Sequence, residues 1–173
     1  MKLVGKKILM VVAPQDFRDE EYLEPRKILE ESGAGVEVTS KGVSQATGMF
    51  GEKAIVNKEL SEVEVADYDA VLFIGGTGSS VYFNDALAHN LAKTAFEKGK
   101  IVGAICIAPS ILANAGLLQG RKATAFSSES SNLAAKGAQY TAQPVTIDGR
   151  IITASGPEAA REFGRTIVSF LGS

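Results

Sequence analysis

The chain has one cysteine, Cys106, placed between Lys100-Ile101-Val102-Gly103-Ala104-Ile105 and Ile107-Ala108-Pro109-Ser110. The first run is apolar and β-branched, as in a buried strand, and the helical spacing of Ile107, Ile111, Leu112 and Ala115 follows it. A strand that turns sharply into a helix holds its junction side chain at the carboxyl edge of the sheet, where nucleophiles are displayed. Free N–H groups and the helix dipole favour a thiolate there, so the expected thiol pKa lies below the ordinary value of about 8.5. A small buried core residue is the other reading of a cysteine. This stretch alone leaves both open.

Other residues could act with the thiol. Glu20 and Glu21 open a predicted helix, and helical phase separates them. Glu20 aligns with Glu24, Lys27 and Glu31 in a solvated stripe. Glu21 aligns with Pro25, Ile28 and Ser32, the face expected to lean on the sheet. A buried carboxyl at 21 would have a raised pKa and could donate to a thiolate or shuttle a proton. Stabilising the helix N-terminus is the competing role, and phase alone leans slightly toward it. Gly75-Gly76-Thr77-Gly78 follows a predicted strand, but Val81 replaces the third glycine of a dinucleotide fingerprint and no P-loop lysine is present. Such a loop can still aim backbone N–H groups at a developing oxyanion, or simply form a tight turn. His89 is the only histidine, with Asp85 and Lys93 a turn to either side, and is expected at the surface. With no second histidine or cysteine there is no convincing metal site.

The elements that must position these groups alternate. Lys7–Ala13, Val36–Thr39, Tyr68–Ile74 and Ile101–Ile105 read as strands, and Lys122–Phe126 as a further one. A loop covers Pro14–Arg18, and a Gly- and Thr-rich excursion with a hairpin covers Lys41–Val56. Val145–Ile147 and Ile151–Thr153 form a second hairpin, turning at Asp148-Gly149. Helices follow the first strand, span residues 81–98 with rows Leu87-Leu91-Ala95 and Ala88-Ala92-Phe96, cover Glu129–Lys136, and close the chain after Gly156-Pro157. This pattern predicts one α/β domain over residues 1–173, a mostly parallel sheet with helices on both faces and an antiparallel hairpin. The loops after Ala13, Ile74, Ile105 and Phe126 would share one edge.

At 173 residues, 45% apolar and 22% charged, the chain can bury one real core, and its net charge of −2 offers no general attraction for nucleic acid or anionic membrane. It lacks an apolar run of membrane-spanning length, and a lone cysteine forms no internal disulfide. A cytoplasmic location is the expectation.

Together, Asp19-Glu20-Glu21-Tyr22-Leu23-Glu24-Pro25, Ile74-Gly75-Gly76, Ala104-Ile105-Cys106-Ile107-Ala108-Pro109, Ala115–Arg121 and Ser155-Gly156-Pro157-Glu158 resemble the ThiJ/PfpI (DJ-one) superfamily along essentially the whole chain. The resemblance implies a flavodoxin-like sandwich and a homodimer or larger homo-oligomer. It gives Cys106 the place of the reactive elbow cysteine and Glu21 that of the glutamate beside it. Gly76, Thr77 and Ile107 match the backbone groups near the sulfur, and Gly75, Phe126, Ser155 and Gly156 are carried over as pocket lining. Two positions depart from the pattern: Ile107 and Phe126 stand where different branches of the superfamily have a histidine.

The first expectation is therefore a cofactor-free, stress-related enzyme acting on small reactive aldehydes or glycated substrates, glyoxalase- or deglycase-like, through Cys106 and Glu21. An oxidation-sensing or chaperone-like protein working through a Cys106 sulfinate is the alternative. A PfpI-like intracellular cysteine peptidase is the third reading, against which the missing histidines count, because an amide leaving group needs a base and an acid.

Overall fold

The computed structural model describes residues 2–173. In chain order it contains β1 (Lys7–Val11), β2 (Gln15–Phe17), α1 (Asp19–Glu31), β3 (Gly35–Ser40), β4 (Gln45–Gly48), β5 (Lys53–Ile55), β6 (Lys58–Glu59), β7 (Ala70–Phe73) and α2 (Ala86–Glu97). The second half adds β8 (Ile101–Ile105), α3 (Pro109–Asn114), β9 (Lys122–Ala123), α4 (Ser130–Ala135), β10 (Gln139–Tyr140), β11 (Val145–Asp148), β12 (Ile151–Ala154) and α5 (Ala160–Leu171).

Seven strands form the main sheet in the order β11-β12-β8-β7-β1-β3-β6. Every pairing in it is parallel except β11 with β12. Alternation along the central strands sends successive side chains to opposite faces. Leu9, Val11, Val71, Phe73, Val102 and Ala104 join the core under α2, α3 and α4. Ile8, Met10, Ala70, Leu72 and Ile101 join the core under α1 and α5, with Tyr22, Leu29, Phe163 and Ile167. Because both faces are covered, these strands are apolar throughout, which made them readable as continuous runs. Gly103 lets α5 approach: a Cβ there would lie 2.8 Å from Leu72 Cδ2 and 3.0 Å from Phe163 Cζ. The result is the mostly parallel, doubly covered sheet that the alternating pattern predicts, and the flavodoxin-like sandwich that the resemblance implies.

The excursion after β3 joins β2 in a small sheet of order β2-β4-β5, with the expected antiparallel hairpin between β4 and β5. The presumed loop 14–18 thus contains the short strand β2. The expected strand Lys122–Phe126 shrinks to two residues in a separate pair with β10. The amides on either side of Ala123 bond side chains rather than a strand: Lys122 N–H donates to Asp148 Oδ2 (2.8 Å) and Thr124 N–H to Thr153 Oγ1 (2.9 Å). The late hairpin pairs Asp148 with Ile151, so its turn is Gly149-Arg150, one residue beyond the expected position. Residues 77–82 form 3₁₀ turns ahead of α2, and Leu87 lies on its exposed side.

Candidate active site

Cys106 follows β8 directly, with its backbone in the left-handed region at φ 65°. A non-glycine residue there stores strain of roughly 1–3 kcal/mol, which persists only where the surroundings over-determine it. Here both backbone groups are tied: Cys106 N–H donates to Ala154 O (2.9 Å), and Cys106 O accepts from Phe126 N–H (2.8 Å). The elbow breaks strand alternation, so Cys106 and Ile105 join the same core cluster. The thiol is left 8% exposed.

Glu21, in the first turn of α1, is fully buried against this elbow. The helix is fixed from behind, since α5 passes so close that a Cβ on Gly164 would lie 3.0 Å from Pro25 Cα. Gly75 makes room in front, because a Cβ there would collide with Glu21 Oε1 and lie 2.6 Å from Ile105 O and 2.7 Å from Cys106 Cβ. Among the described residues neither Glu21 oxygen has a partner at full hydrogen-bonding geometry. Burial pushes its carboxyl up to about 8, while the nearby Cys106 thiol, the Gly75 N–H and the Arg18 charge each draw it partly back.

The sequence-based expectation of a lowered thiol pKa is overturned. Burial, then the Glu21 charge and the thiol's bond to that carboxylate, push Cys106 up to about 12 against the pull of the Gly76 and Ile107 N–H groups. The helix contributes little because α3 has only six residues and begins at Pro109, beyond the elbow. Gly76 and Ile107 are therefore the backbone groups acting on the sulfur, and a Cβ at Gly76 (φ 103°) would lie 2.6 Å from Phe17 C.

A cavity of about 280 Å³ opens in front of Cys106, lined by Arg18, Met49, Gly76, Thr77, Ile107, Phe126, Ser128 and Pro157. Ser155 and Gly156 line an adjoining cavity of about 600 Å³, which shares Arg18, Phe126 and Pro157 with the first. Gly75 lies buried beneath the pair instead of on the cavity wall. His89 corrects its expected surface role: it is half-buried, with Nε2 bonded to Phe83 O at 2.7 Å. Among the described residues no group of three or more His, Cys, Asp or Glu is placed to hold a metal. Arg18 was missed, since a basic residue in a presumed loop carries no periodic signal.

Asp19 is a second buried carboxylate beside Glu21. It accepts from Phe50 N–H (3.0 Å) and Glu52 N–H (2.9 Å), fixing the loop that brings Met49 to the cavity.

The DJ-1/PfpI family model matches residues 6–170. A Bacillus subtilis protein named "Putative cysteine protease YraA" is 33% identical over 97% of this chain and 99% of its own length. A Thermococcus kodakarensis protein named a deglycase is 29% identical, covering 94% of this chain and 98% of its own. The crystal structure of a ThiJ/PfpI domain protein from Brachyspira murdochii superposes with a TM-score of 0.94 at 34% identity, over 96% of this chain and 98% of that one. The chain belongs to the DJ-1/PfpI family.

Proposed function

We propose that this DJ-1/PfpI family member is a cofactor-free enzyme acting on small 2-oxoaldehydes, glyoxalase- or deglycase-like, with Cys106 as nucleophile and Glu21 as proton carrier. The observation that carries the reading is the fully buried Glu21 carboxyl, without a satisfied oxygen, against the only thiol of the chain.

The pair gives up its first proton near pH 8, where burial has set Glu21. When the remaining proton sits on Glu21, the sulfur is a thiolate facing the Glu21 O–H and the Gly76 and Ile107 N–H groups. Moving the proton this way removes the carboxylate charge that holds the thiol up. The thiolate adds to the aldehyde carbon, a C–S bond forms, and the carbonyl oxygen takes the Glu21 proton. The resulting carboxylate removes hydrogen from that carbon and returns a proton to the neighbouring one, leaving a 2-hydroxyacyl thioester. Water then cleaves the C–S bond, releases the 2-hydroxy acid and restores both protons. The sequence is an internal redox exchange and needs no external oxidant or reductant.

Ile107 and Phe126 give the cavity apolar walls where a hydrolytic histidine would be needed, and the only histidine is engaged by Phe83 O outside that cavity. This favours aldehyde addition over peptide hydrolysis. The deglycase name of the Thermococcus relative supports a small-molecule carbonyl substrate. Methylglyoxal is expected to yield lactate, with turnover lost in Cys106→Ala and Glu21→Gln. Absence of turnover by folded protein overturns the reading.

A second reading draws on the same donors. A Cys106 sulfinate would meet the Gly76 and Ile107 N–H groups and a protonated Glu21. Mild peroxide should then add two oxygens at Cys106 before Met10 or Met49; the reverse order rejects it.

A further inference from the structure

Among the described residues Arg18 is the only charged one lining the Cys106 cavity, and it also lines the adjoining one. Its placement is built from both ends. The Arg18 N–H donates to Gly75 O (2.8 Å), tying the residue to the loop beneath Cys106. The guanidinium lies over the Phe50 ring, 4.9 Å from its centroid, and its Nε donates to Glu20 Oε2 (2.8 Å). Glu20 therefore occupies one edge of the fork. Among the described residues no side-chain or backbone acceptor bonds the terminal guanidinium nitrogens. A planar fork with one edge held by protein and another open at a cavity suits a carboxylate.

The rest of the inner wall narrows the occupant. Met49, Ile107, Phe126 and Pro157 are apolar, and among the described residues no acidic side chain lines this wall, whereas Glu158 lies in the outer cavity. A small molecule with its reactive carbon at the sulfur and one negative group toward the mouth satisfies both ends.

We infer that Arg18 is a specificity-determining residue that selects 2-oxoaldehydes carrying a carboxylate at the far end of a short chain over neutral ones. This rests on the aldehyde chemistry proposed above, in which 4,5-dioxopentanoate plus water would give 2-hydroxypentanedioate. The thiolate attacks the aldehyde carbon, hydrogen passes to the adjacent carbon, and the tail carboxylate is unchanged.

Two alkylating probes test the selection without turnover. Iodoacetate and iodoacetamide transfer similar groups to sulfur with loss of iodide and differ in charge. Relative to free N-acetylcysteine, Cys106 should favour iodoacetate over iodoacetamide by about tenfold, the scale of one charge-assisted hydrogen bond. Arg18→Gln should remove that preference and Arg18→Glu should reverse it, with Arg18→Lys in between. A ratio equal to that of the free thiol, or one indifferent to these substitutions, overturns the inference. Should Cys106 resist both reagents, lactate and lactamide are titrated into Cys106→Ser protein. Saturable shifts of the Gly76 and Ile107 amides with lactate alone, lost in Arg18→Gln, uphold the anion site, and equal or absent responses reject it. In turnover, the decisive quantity is the ratio of kcat/KM for 4,5-dioxopentanoate and methylglyoxal, because Arg18 also acts on Glu21 and can move both values. Turnover of neither substrate counts against the aldehyde chemistry; turnover of both at an unchanged ratio counts against Arg18 alone.

Discussion

Cys106 and Ser110 stand close together along the chain, and each is buried with a glutamate beside it. On the Ser110 side the buried hydroxyl and both Glu129 oxygens are matched. Ser110 Oγ donates to Glu129 Oε1 (2.7 Å) and accepts from Asn132 Nδ2 (3.0 Å), and Ser128 donates to Glu129 Oε2 (2.8 Å). Asn114 continues the network, accepting from Asn132 (3.0 Å) and donating to Phe83 O (2.9 Å). On the Cys106 side neither Glu21 oxygen is satisfied and the nucleophile's backbone is strained. Two pairs of similar composition therefore differ in what remains undone. A completed network holds α3 to its neighbours, while an incomplete one keeps protonation states within reach of each other.

The strongest way to break this contrast is to remove each nucleophile. Cys106→Ala should cut methylglyoxal turnover by about a thousandfold or more, and Ser110→Ala should leave it within about twofold. Comparable losses in both would erase the distinction. Exchanging the glutamate sharpens it: Glu21→Gln should lower turnover by about 10²–10⁴-fold. The same variant should be alkylated faster than the parent at pH 9, because it loses the charge that raises the thiol pKa. Slower alkylation at that pH would contradict the assigned cause.

Stability against pH is the next test. Glu21 has an ordinary value of 4.5 when unfolded and about 8 when folded, so the folded state binds more protons between them. Stability should fall as pH rises through that window, by at most roughly 5 kcal/mol, and level off above it. Denaturant titrations of Glu21→Gln should show a flatter profile across the same range. A parent profile as flat as the variant's from pH 5 to 8 would place the Glu21 proton elsewhere. Gly75→Ala should cost about 1–3 kcal/mol by overpacking, with lost turnover, since its Cβ would displace Glu21 or Cys106. Ser110→Ala has the smallest reach, lowering stability by about 1–3 kcal/mol through the unmatched Asn132 and Glu129 groups.

Much of this arrangement was legible in order along the chain. Continuous apolar runs marked β1, β7 and β8 because both faces of the sheet are covered. Helical phase put Glu21 on the inner face with Pro25, and the structure buries both. What remained hidden depends on distant partners. Lys122–Phe126 read as a strand, yet its amides are taken by Asp148, Thr153 and the Cys106 carbonyl. The thiol pKa could not be read from a strand-to-helix junction, since burial and a carboxylate from α1 outweigh a six-residue helix. Arg18 acquired its place only when the Phe50 loop and Glu20 closed around it.

The tie between Cys106 N–H and Ala154 O also bears on how the protein is made. The acceptor belongs to β12, and the helix that packs over Gly103 through Phe163 comes later still. During synthesis the cysteine leaves the ribosome long before the residues that hold its left-handed backbone. A nascent chain therefore carries an ordinary thiol, and the site matures only once the C-terminal strand has joined the sheet. Trapping ribosome-bound chains of increasing length should show Cys106 reactivity changing abruptly when β12 becomes free to pair.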